Sequence, residues 1–299
     1  MTIDRSRLQG IWLPLITPFR DDTLDEASLS RLLQHYFSTR IDGLIFCATT
    51  GEGHALTPSE TQRIVELAAK ERAESGRDIP IVLGISGSWT RGVHEQLHRA
   101  TAWPIDGYLI SSPSYVRPSQ AGLYEHFSSL ADRAGHPLII YNIPYRTGIN
   151  IANDTLLQLA THDNIVGVKD CCGDAAQSFD LIRFRPDNFA VLTGEDPQFY
   201  SAQMLGADGG IHASAHVLTN VFSSIRDLAS AGDTSTALAQ WQRLADVPQL
   251  LFSAPSPAPL KHWLWRAGLI ASPEVRLPLV GIDEGLAARI DAEIKCWTK

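Results

Sequence analysis

The sequence predicts an α/β fold, a (β/α)8 TIM barrel followed by a C-terminal helical appendage. Eight short apolar segments recur along the first part of the chain, each bounded by turn residues, and longer segments with helical periodicity lie between them. Apolar strands without polar alternation are typical of a parallel sheet that is covered on both faces. Strand and helix therefore alternate, as a barrel requires.

The eight predicted strands close more readily into a barrel than into an open sheet. In chain order they are 11–17, 43–47, 81–85, 107–110, 138–142, 165–169, 189–193 and 209–213. A doubly wound open sheet is the competing fold, but the segment 14–21 lacks the glycine-rich turn that would follow its first strand. We therefore expect a closed barrel.

Helical periodicity fills the segments between the strands and dominates the end of the chain. Between the strands it predicts helices over 59–75, 120–134 and 154–161, and after residue 218 over 221–231, 236–251 and 284–297. A further helix carrying Leu260, Trp263 and Leu264 follows the proline-rich run 254–259. We predict a catalytic barrel over 1–218 and a helical region over 219–299.

The composition of the chain excludes some classes of binding partner. Of the 299 residues, 25 are Lys or Arg and 33 are Asp or Glu, giving a net charge of −8, which argues against nucleic acid and anionic membranes as partners. There is no 18-residue apolar window and no apolar stretch in 1–9, so we predict no membrane span and a cytoplasmic location. The four cysteines (Cys47, Cys171, Cys172 and Cys296) are too few for a disulfide framework. We expect small-molecule partners.

Lys169 is the most informative candidate for catalysis. It ends the apolar run 165–168, and catalytic groups of parallel barrels lie at the carboxyl ends of the strands. Lowering a lysine pKa from about 10.4 to about 7 takes roughly 4–5 kcal/mol of desolvation or like-charge repulsion. The resulting neutral amine can attack a ketone and form a Schiff base. The alternative is a structural ion pair with Asp170 or with another carboxylate at a strand end.

Hydroxyl groups at three other strand ends could move the protons that Schiff-base chemistry requires. They belong to Tyr141, Tyr115 and Thr50, and Arg146 at the same rim offers a fork suited to a carboxylate. Each has a structural alternative. Rim tyrosines often fill space, a threonine before Gly-Glu often caps a turn, and a lone rim arginine is usually solvated.

Four motifs together carry a family resemblance. The segments 48–52 (ATTGE), 114–120 (SYVRPSQ), 141–148 (YNIPYRTG) and 166–170 (VGVKD) resemble the successive motifs of the dihydrodipicolinate synthase / N-acetylneuraminate lyase family. The resemblance extends over nearly the whole chain. It implies a class I barrel lyase that acts on pyruvate or another 2-keto acid. It also implies a covalent lysine imine without metal or organic cofactor, and a homotetramer built as a dimer of dimers.

The resemblance assigns a role to each candidate. Lys169 would form the imine and Tyr141 would be the central proton donor and acceptor. Thr50 and Tyr115 would complete the relay, Tyr115 coming from the other subunit across a tight dimer interface. Substrate binding would fall to Thr49, Thr50, Gly51, Arg146, Gly194 and Ile211.

Arg146 distinguishes members of this family. In the dihydrodipicolinate synthases an arginine at this motif position binds the carboxylate of aspartate semialdehyde, so the sequence resembles the synthases. The implied reaction condenses pyruvate with aspartate semialdehyde to give 4-hydroxy-tetrahydrodipicolinate. A related pyruvate aldolase, or a 2-keto-3-deoxy sugar acid aldolase or dehydratase, would use the same lysine imine. A barrel that only binds or regulates is a further alternative.

The segment His94-Glu95-Gln96-Leu97-His98 matches the H-E-x-x-H pattern of zinc metallopeptidases. However, Val93, Leu97 and Ala100 form an apolar stripe, which predicts an outer helix far from the strand ends. No clear third ligand motif follows it. We therefore expect no metal site and keep the metallopeptidase as a remote alternative.

Two further features leave open questions. His212 and His216 follow the last strand, where they could contact substrate or serve as hydrogen-bonded rim residues. The positions that resemble the lysine-feedback site of some synthases lack the acidic and aromatic residues expected there. They hold Gly53, His54, Ser88, Gly92 and Ser114, so we predict no feedback inhibition by lysine.

Overall fold

Eight parallel strands form a closed barrel, as the sequence predicts. The computed structural model describes residues 3–297, so the outermost residues of the two predicted domains, 1–2 and 298–299, lie outside the described part. Strand β1 pairs with both β2 and β8, which closes the barrel. The strands are β1 (Gly10–Pro14), β2 (Gly43–Phe46), β3 (Ile81–Ile85), β4 (Gly107–Ser111), β5 (Leu138–Asn142), β6 (Ile165–Asp170), β7 (Ala190–Thr193) and β8 (Gly209–Ile211).

Burial on both faces explains why the strands read as continuous apolar runs. In β5, Ile139 and Tyr141 belong to the cluster that fills the barrel interior, together with Ile211 of β8. Leu138 and Ile140 belong to the larger cluster between the strands and the helices. Successive side chains of a strand point to opposite faces, so alternate residues face the barrel interior and the others face the helices.

Helices cover the outside of the barrel between the strands. Helix α2 begins at a capping box, in which the Thr57 hydroxyl accepts from the Glu60 N–H, and it ends at Gly76 with a φ of 69°. The predictions for 59–75, 120–134 and 154–161 correspond to α2, α4 and α6. The helices are α1 (Glu26–Phe37), α2 (Pro58–Ser75), α3 (Thr90–Ala100), α4 (Gln120–Ala131), α5 (Pro144–Thr147), α6 (Asn153–Leu159), α7 (Ala175–Phe184) and α8 (Phe199–Met204).

The C-terminal region is helical, but one predicted helix is wrong. The structure divides 236–251 into α10 (Thr234–Leu244) and α11 (Asp246–Leu251). Pro248 has no N–H to donate to the carbonyl of Leu244, so a single helix cannot continue through this point. The remaining helices are α9 (Ala215–Ser230), α12 (Ala258–Arg266) and α13 (Glu284–Trp297).

Helix α9 connects the barrel to the C-terminal region without a loop at the predicted boundary. It begins six residues earlier than the prediction of 221–231 and has non-helical angles at Leu218. The division into 1–218 and 219–299 therefore stays a prediction. None of the helices within residues 3–297 is long and apolar enough to cross a membrane.

The C-terminal region covers part of the barrel end at which the strands finish. Residues 248–249 and 252–256 line one wall of a cavity whose other wall includes Gly194. Helix α12 also reaches the turn after β2 through Lys261, which donates to Glu52. The candidate site therefore lies between the barrel end and this region.

Candidate active site

Strand register places Lys169 beside Tyr141. The two residues are direct partners in the β5–β6 pair. Lys169 is 5% exposed, and its Nζ lies 4.3 Å from the centroid of the Tyr141 ring. The preceding residue, Val168, belongs to the outer cluster, so Lys169 faces the barrel interior. The amine is therefore almost fully buried next to the predicted proton donor.

The alternative of a structural ion pair between Lys169 and Asp170 is not what the structure contains. The Asp170 carboxylate accepts from the Ser178 hydroxyl at 2.6 Å and from the Cys172 N–H at 3.1 Å. Asn142 donates a longer bond of 3.4 Å to it. Within residues 3–297, Lys169 itself forms no ion pair.

Burial sets the protonation of both central groups. It lowers the pKa of Lys169 from 10.5, and Arg146 adds to this effect, while Cys171, Asp196 and Glu195 oppose it. The neutral amine, the form that attacks a carbonyl, is thereby favoured. Burial also raises the pKa of Tyr141 well above 10.0, so its hydroxyl keeps the proton it could donate.

Two predicted pocket residues lie at the barrel interior, and one of them, Gly194, is against the lysine. A Cβ at Gly194 would lie 2.5 Å from Lys169 Cε and 2.3 Å from Cys171 Sγ, so any larger residue there would displace the lysine chain. Ile211 is fully buried in the interior cluster that includes Tyr141. Gly194 thus leaves the room that the Lys169 side chain occupies.

The two threonines of the turn after β2 have different surroundings. Thr49 lines a cavity of about 340 Å³ together with Tyr141 and Arg146. Its side chain hydrogen-bonds towards Tyr141 and opposes the effect of burial on the tyrosine pKa. Thr50 is 7% exposed and does not line this cavity. The structure therefore favours the Thr49 hydroxyl over that of Thr50 as the one near Tyr141, and which threonine serves the relay stays a prediction.

The same turn offers backbone donors. Within residues 3–297, the N–H groups of Thr49 and Thr50 make no hydrogen bond. The Gly51 carbonyl accepts from the Thr17 hydroxyl at 2.7 Å, and a Cβ at Gly51 would lie 2.8 Å from the Leu15 carbonyl oxygen. The glycine packs tightly beneath the turn while the two threonine N–H groups stay available to an anion.

Tyr115 is not brought to the other candidates within one chain. Its side chain is 92% exposed, its φ is 72°, and its N–H donates to the Thr147 carbonyl at 3.3 Å. It does not line the cavity that contains Thr49 and Tyr141. A role in the relay would require a second subunit.

Arg146 connects two cavities. It lines the cavity of Thr49 and Tyr141 and a second one of about 520 Å³. The second cavity, which we call the acceptor cavity, is lined by Tyr145, Arg146, Gly194, Glu195, Asp196, Pro197, Pro248, Gln249, Phe252, Ser253, Ala254, Pro255 and Ser256. Its entrance carries the guanidinium of Arg146 over the Tyr145 ring, 5.5 Å from the ring centroid.

Glu195 is a candidate that the site prediction omitted. Its Oε1 is buried and has no hydrogen-bond partner among the described residues, and burial raises the pKa of its carboxyl. It lies in the acceptor cavity with Arg146. Its position directly after β7 and Gly194 could have identified it in the sequence. The loops at the carboxyl ends of the strands carry the catalytic residues of a barrel.

The two histidines after β8 are structural. His212 is fully buried, its Nδ1 lies 3.1 Å from Asp196 Oδ1, and it stacks on Phe222. His216 is 2% exposed, and its Nδ1 lies 2.8 Å from the Ala213 carbonyl oxygen. Of the two interpretations, the structure favours hydrogen-bonded residues over substrate contacts.

The H-E-x-x-H segment lies on the outer helix α3, as its apolar stripe predicts. Val93, Leu97 and Ala100 are buried against the barrel. His94 Nε2 lies 2.9 Å from the Ser129 hydroxyl of α4. In the part of the chain from 3 to 297, no three His, Cys, Asp or Glu side chains are grouped to hold a metal ion. The arrangement gives the metallopeptidase alternative no support.

Comparisons with known proteins agree with one another. A family model described as "Dihydrodipicolinate synthetase family" matches residues 7–296. The 4-hydroxy-tetrahydrodipicolinate synthase 2 of Clostridium acetobutylicum is 43% identical over 95% of this chain and 99% of its own length. The solved dihydrodipicolinate synthase of Aquifex aeolicus has a TM-score of 0.92 at 31% identity, covering 97% of this chain and 98% of that one. A chloride-inhibited one from Acinetobacter baumannii, complexed with pyruvate, has a TM-score of 0.91 at 31% identity, covering 96% and 98%.

The burial of Lys169 predicts a pH dependence. Because burial lowers the pKa of its amine, acylation of Lys169 by acetic anhydride should reach half its maximal rate at a pH below 10.5. Peptide mapping by mass spectrometry over a pH series measures this rate, and a Lys169→Met variant identifies the labelled peptide. A midpoint at or above 10.5 would contradict the effect of burial on this amine.

Proposed function

This chain belongs to the dihydrodipicolinate synthetase family, and we propose that it condenses pyruvate with aspartate semialdehyde through an imine on Lys169. It is a Schiff-base lyase, and the product is 4-hydroxy-tetrahydrodipicolinate. One observation carries the proposal: the buried amine of Lys169 lies against the Tyr141 ring at the end of the barrel where the strands finish. The likeness to synthases over nearly the whole chain supports the choice of reaction.

The first half of the reaction needs a neutral amine and a group that moves protons. Lys169 Nζ attacks C2 of pyruvate and gives a carbinolamine. Tyr141 protonates the departing hydroxyl, water leaves, and the imine forms. The Tyr141 phenolate then takes a proton from C3, which gives the enamine and restores the tyrosine hydroxyl. Thr49 beside Tyr141 can pass protons onward, and a positioned acid or base of this kind contributes about 10²–10⁴-fold to the rate.

The carboxylate of pyruvate would bind at the turn after β2. The N–H groups of Thr49 and Thr50 make no hydrogen bond within the described part of the chain, and together they can hold two carboxylate oxygens. This binding directs the keto carbon towards Lys169.

The second substrate would occupy the acceptor cavity. Arg146 can bind the carboxylate of aspartate semialdehyde, and Glu195 with its unpartnered oxygen can accept from the substrate's amino group. The enamine carbon attacks the aldehyde carbon and forms a carbon–carbon bond, and the Tyr141 hydroxyl gives its proton to the aldehyde oxygen, which becomes a hydroxyl. The substrate's amine then attacks C2 of the imine, which closes the ring and releases Lys169.

Assembly and location remain predictions. We propose that a second subunit supplies Tyr115 to the relay, supported by its 92% exposure and by the 54% exposure of Val116 beside it. The homotetramer, the cytoplasmic location and the lack of feedback inhibition by lysine follow from the sequence and its family resemblance. Lys169 as the covalent group, without metal or organic cofactor, also stays part of the proposal.

Borohydride trapping tests the proposed function directly. Incubation with pyruvate and borohydride should reduce the imine and attach a pyruvate-derived group to the peptide that contains Lys169, as seen by mass spectrometry. Lys169→Met should show no adduct. Unmodified wild-type protein, or modification at another lysine only, would overturn the proposal.

Replacing Arg146 by Ala should harm the condensation selectively. Loss of a charge-assisted hydrogen bond of about 1.5–3 kcal/mol predicts a kcat/KM about 10–100-fold lower for aspartate semialdehyde. A neutral aldehyde of similar length should be little affected. Steady-state kinetics with both acceptors measure the difference, and equal losses would exclude a carboxylate-binding role. A wild-type preference for neutral sugar-like aldehydes would favour the aldolase alternative.

Mixing subunits tests the role of Tyr115. Tyr115→Phe and Lys169→Met proteins should each have low activity alone, because one lacks a relay hydroxyl and the other lacks the amine. After joint refolding, mixed dimers should regain part of the activity, since one of their sites has both groups. Turnover before and after mixing is the readout. No recovery in oligomers shown to be mixed would place Tyr115 outside the partner's site.

A further inference from the structure

A buried ion pair lies just behind the turn that carries Thr49. Lys261 Nζ of α12 donates to Glu52 Oε1 at 2.5 Å, and both side chains are fully buried. Lys261 also donates to the Glu274 carbonyl at 2.7 Å, and Glu52 Oε2 accepts from the Arg276 N–H at 2.9 Å. Neither member of the pair lines the cavity that contains Thr49 and Tyr141. The proposed reaction gives this pair no direct role.

The backbone of the turn needs support from its surroundings. Cys47 and Glu52 have φ angles of 57° and 52°, a region that residues other than glycine rarely adopt. Glu52 N–H donates to the Thr49 carbonyl at 3.1 Å, and Gly53 N–H donates to the Ala48 carbonyl at 3.2 Å. A displacement of Glu52 would therefore be transmitted directly to Thr49.

The pair can hold the turn at neutral pH. Burial lowers the pKa of Lys261 to about 8, and Glu52 opposes this shift. The Lys261 amine is therefore mostly protonated, and so charged, at pH 7. Replacing one partner would leave the other charge buried without a counter-charge, which would destabilise the fold. Replacing both partners by neutral residues removes this cost. Replacing both residues can therefore show the effect of the ion pair on the position of the turn without a large effect on the stability of the fold.

We propose that Glu52 and Lys261 are positioning residues for the proton relay. By fixing Glu52 in its left-handed conformation, Lys261 holds the Thr49 hydroxyl beside Tyr141 and the two free N–H groups towards the substrate. Helix α12 of the C-terminal region thereby acts on the barrel reaction through Thr49. This inference rests on the proposed imine chemistry.

The double variant Glu52→Gln/Lys261→Met tests the inference. It keeps the shape of both side chains and removes both charges, so it should fold with a melting temperature near that of the wild type. We expect kcat to fall about tenfold, more than the KM for pyruvate changes, and the rate of borohydride-trapped adduct formation to fall in proportion. A folded double variant with wild-type kcat and trapping rate would overturn the inference.

Glu52→Asp is a second variant in case the double variant does not fold. It retains the charge but shortens the side chain by one methylene, so the turn must move to keep the ion pair. We expect a smaller loss of kcat with a folded protein. Unchanged kcat and an unchanged trapping rate in this variant would also overturn the positioning role.

Asp291→Asn provides a matched control, because it removes a contact that α13 makes with the helix that carries Lys261. Asp291 Oδ1 of α13 lies 3.0 Å from both His262 Nε2 and Arg266 Nε of α12. This variant should lower the melting temperature and leave kcat unchanged. If Asp291→Asn lowered kcat as much as the double variant does, the ion pair would only stabilise α12 and would have no positioning role. If wild-type protein traps no pyruvate, the proposed function itself fails, which is a distinct result.

Discussion

The structure depends on one constraint, which is that Lys169 is held at the end of the barrel with only 5% of its surface exposed. A charged ammonium there would lose its hydration and gain no ion pair in return, so burial favours the neutral amine. Gly194 leaves room for the lysine chain, and the ring of Tyr141 covers its end. The same burial thus sets the protonation of the proposed nucleophile and of the tyrosine proposed to move its protons, since burial also keeps the Tyr141 hydroxyl protonated.

The barrel makes this arrangement possible because both faces of its strands are buried. Strand register places Lys169 opposite Tyr141, and the turn after β2 brings Thr49 to the same cavity. The C-terminal region closes one side of the acceptor cavity and anchors that turn through Lys261. The residues proposed to act on pyruvate therefore lie on the barrel. The shape of the acceptor cavity and the rigidity of the turn after β2 depend on the helices of the C-terminal region.

Much of this could be predicted from the sequence, where a periodic pattern or a strand end gave the signal. The eight strands, Lys169 and Tyr141 follow from apolar runs and from the residues that end them. A turn has no such period, which is why the sequence assigned the relay hydroxyl to Thr50, whereas in the structure Thr49 lines the cavity with Tyr141. The pairing of Glu52 with Lys261 joins residues 209 positions apart, and neither residue is unusual in its local sequence. The break before Pro248 could have been recognised from the missing N–H alone.

A crystal structure of the protein soaked with pyruvate tests the central claim most directly. The account predicts continuous electron density between Lys169 Nζ and C2 of the substrate, with the substrate carboxylate on the N–H groups of Thr49 and Thr50. The Tyr141 hydroxyl should lie within hydrogen-bonding distance of the new bond. Pyruvate bound without a covalent bond at a site away from Lys169, or an ordered water shell around an unmodified amine, would contradict the account.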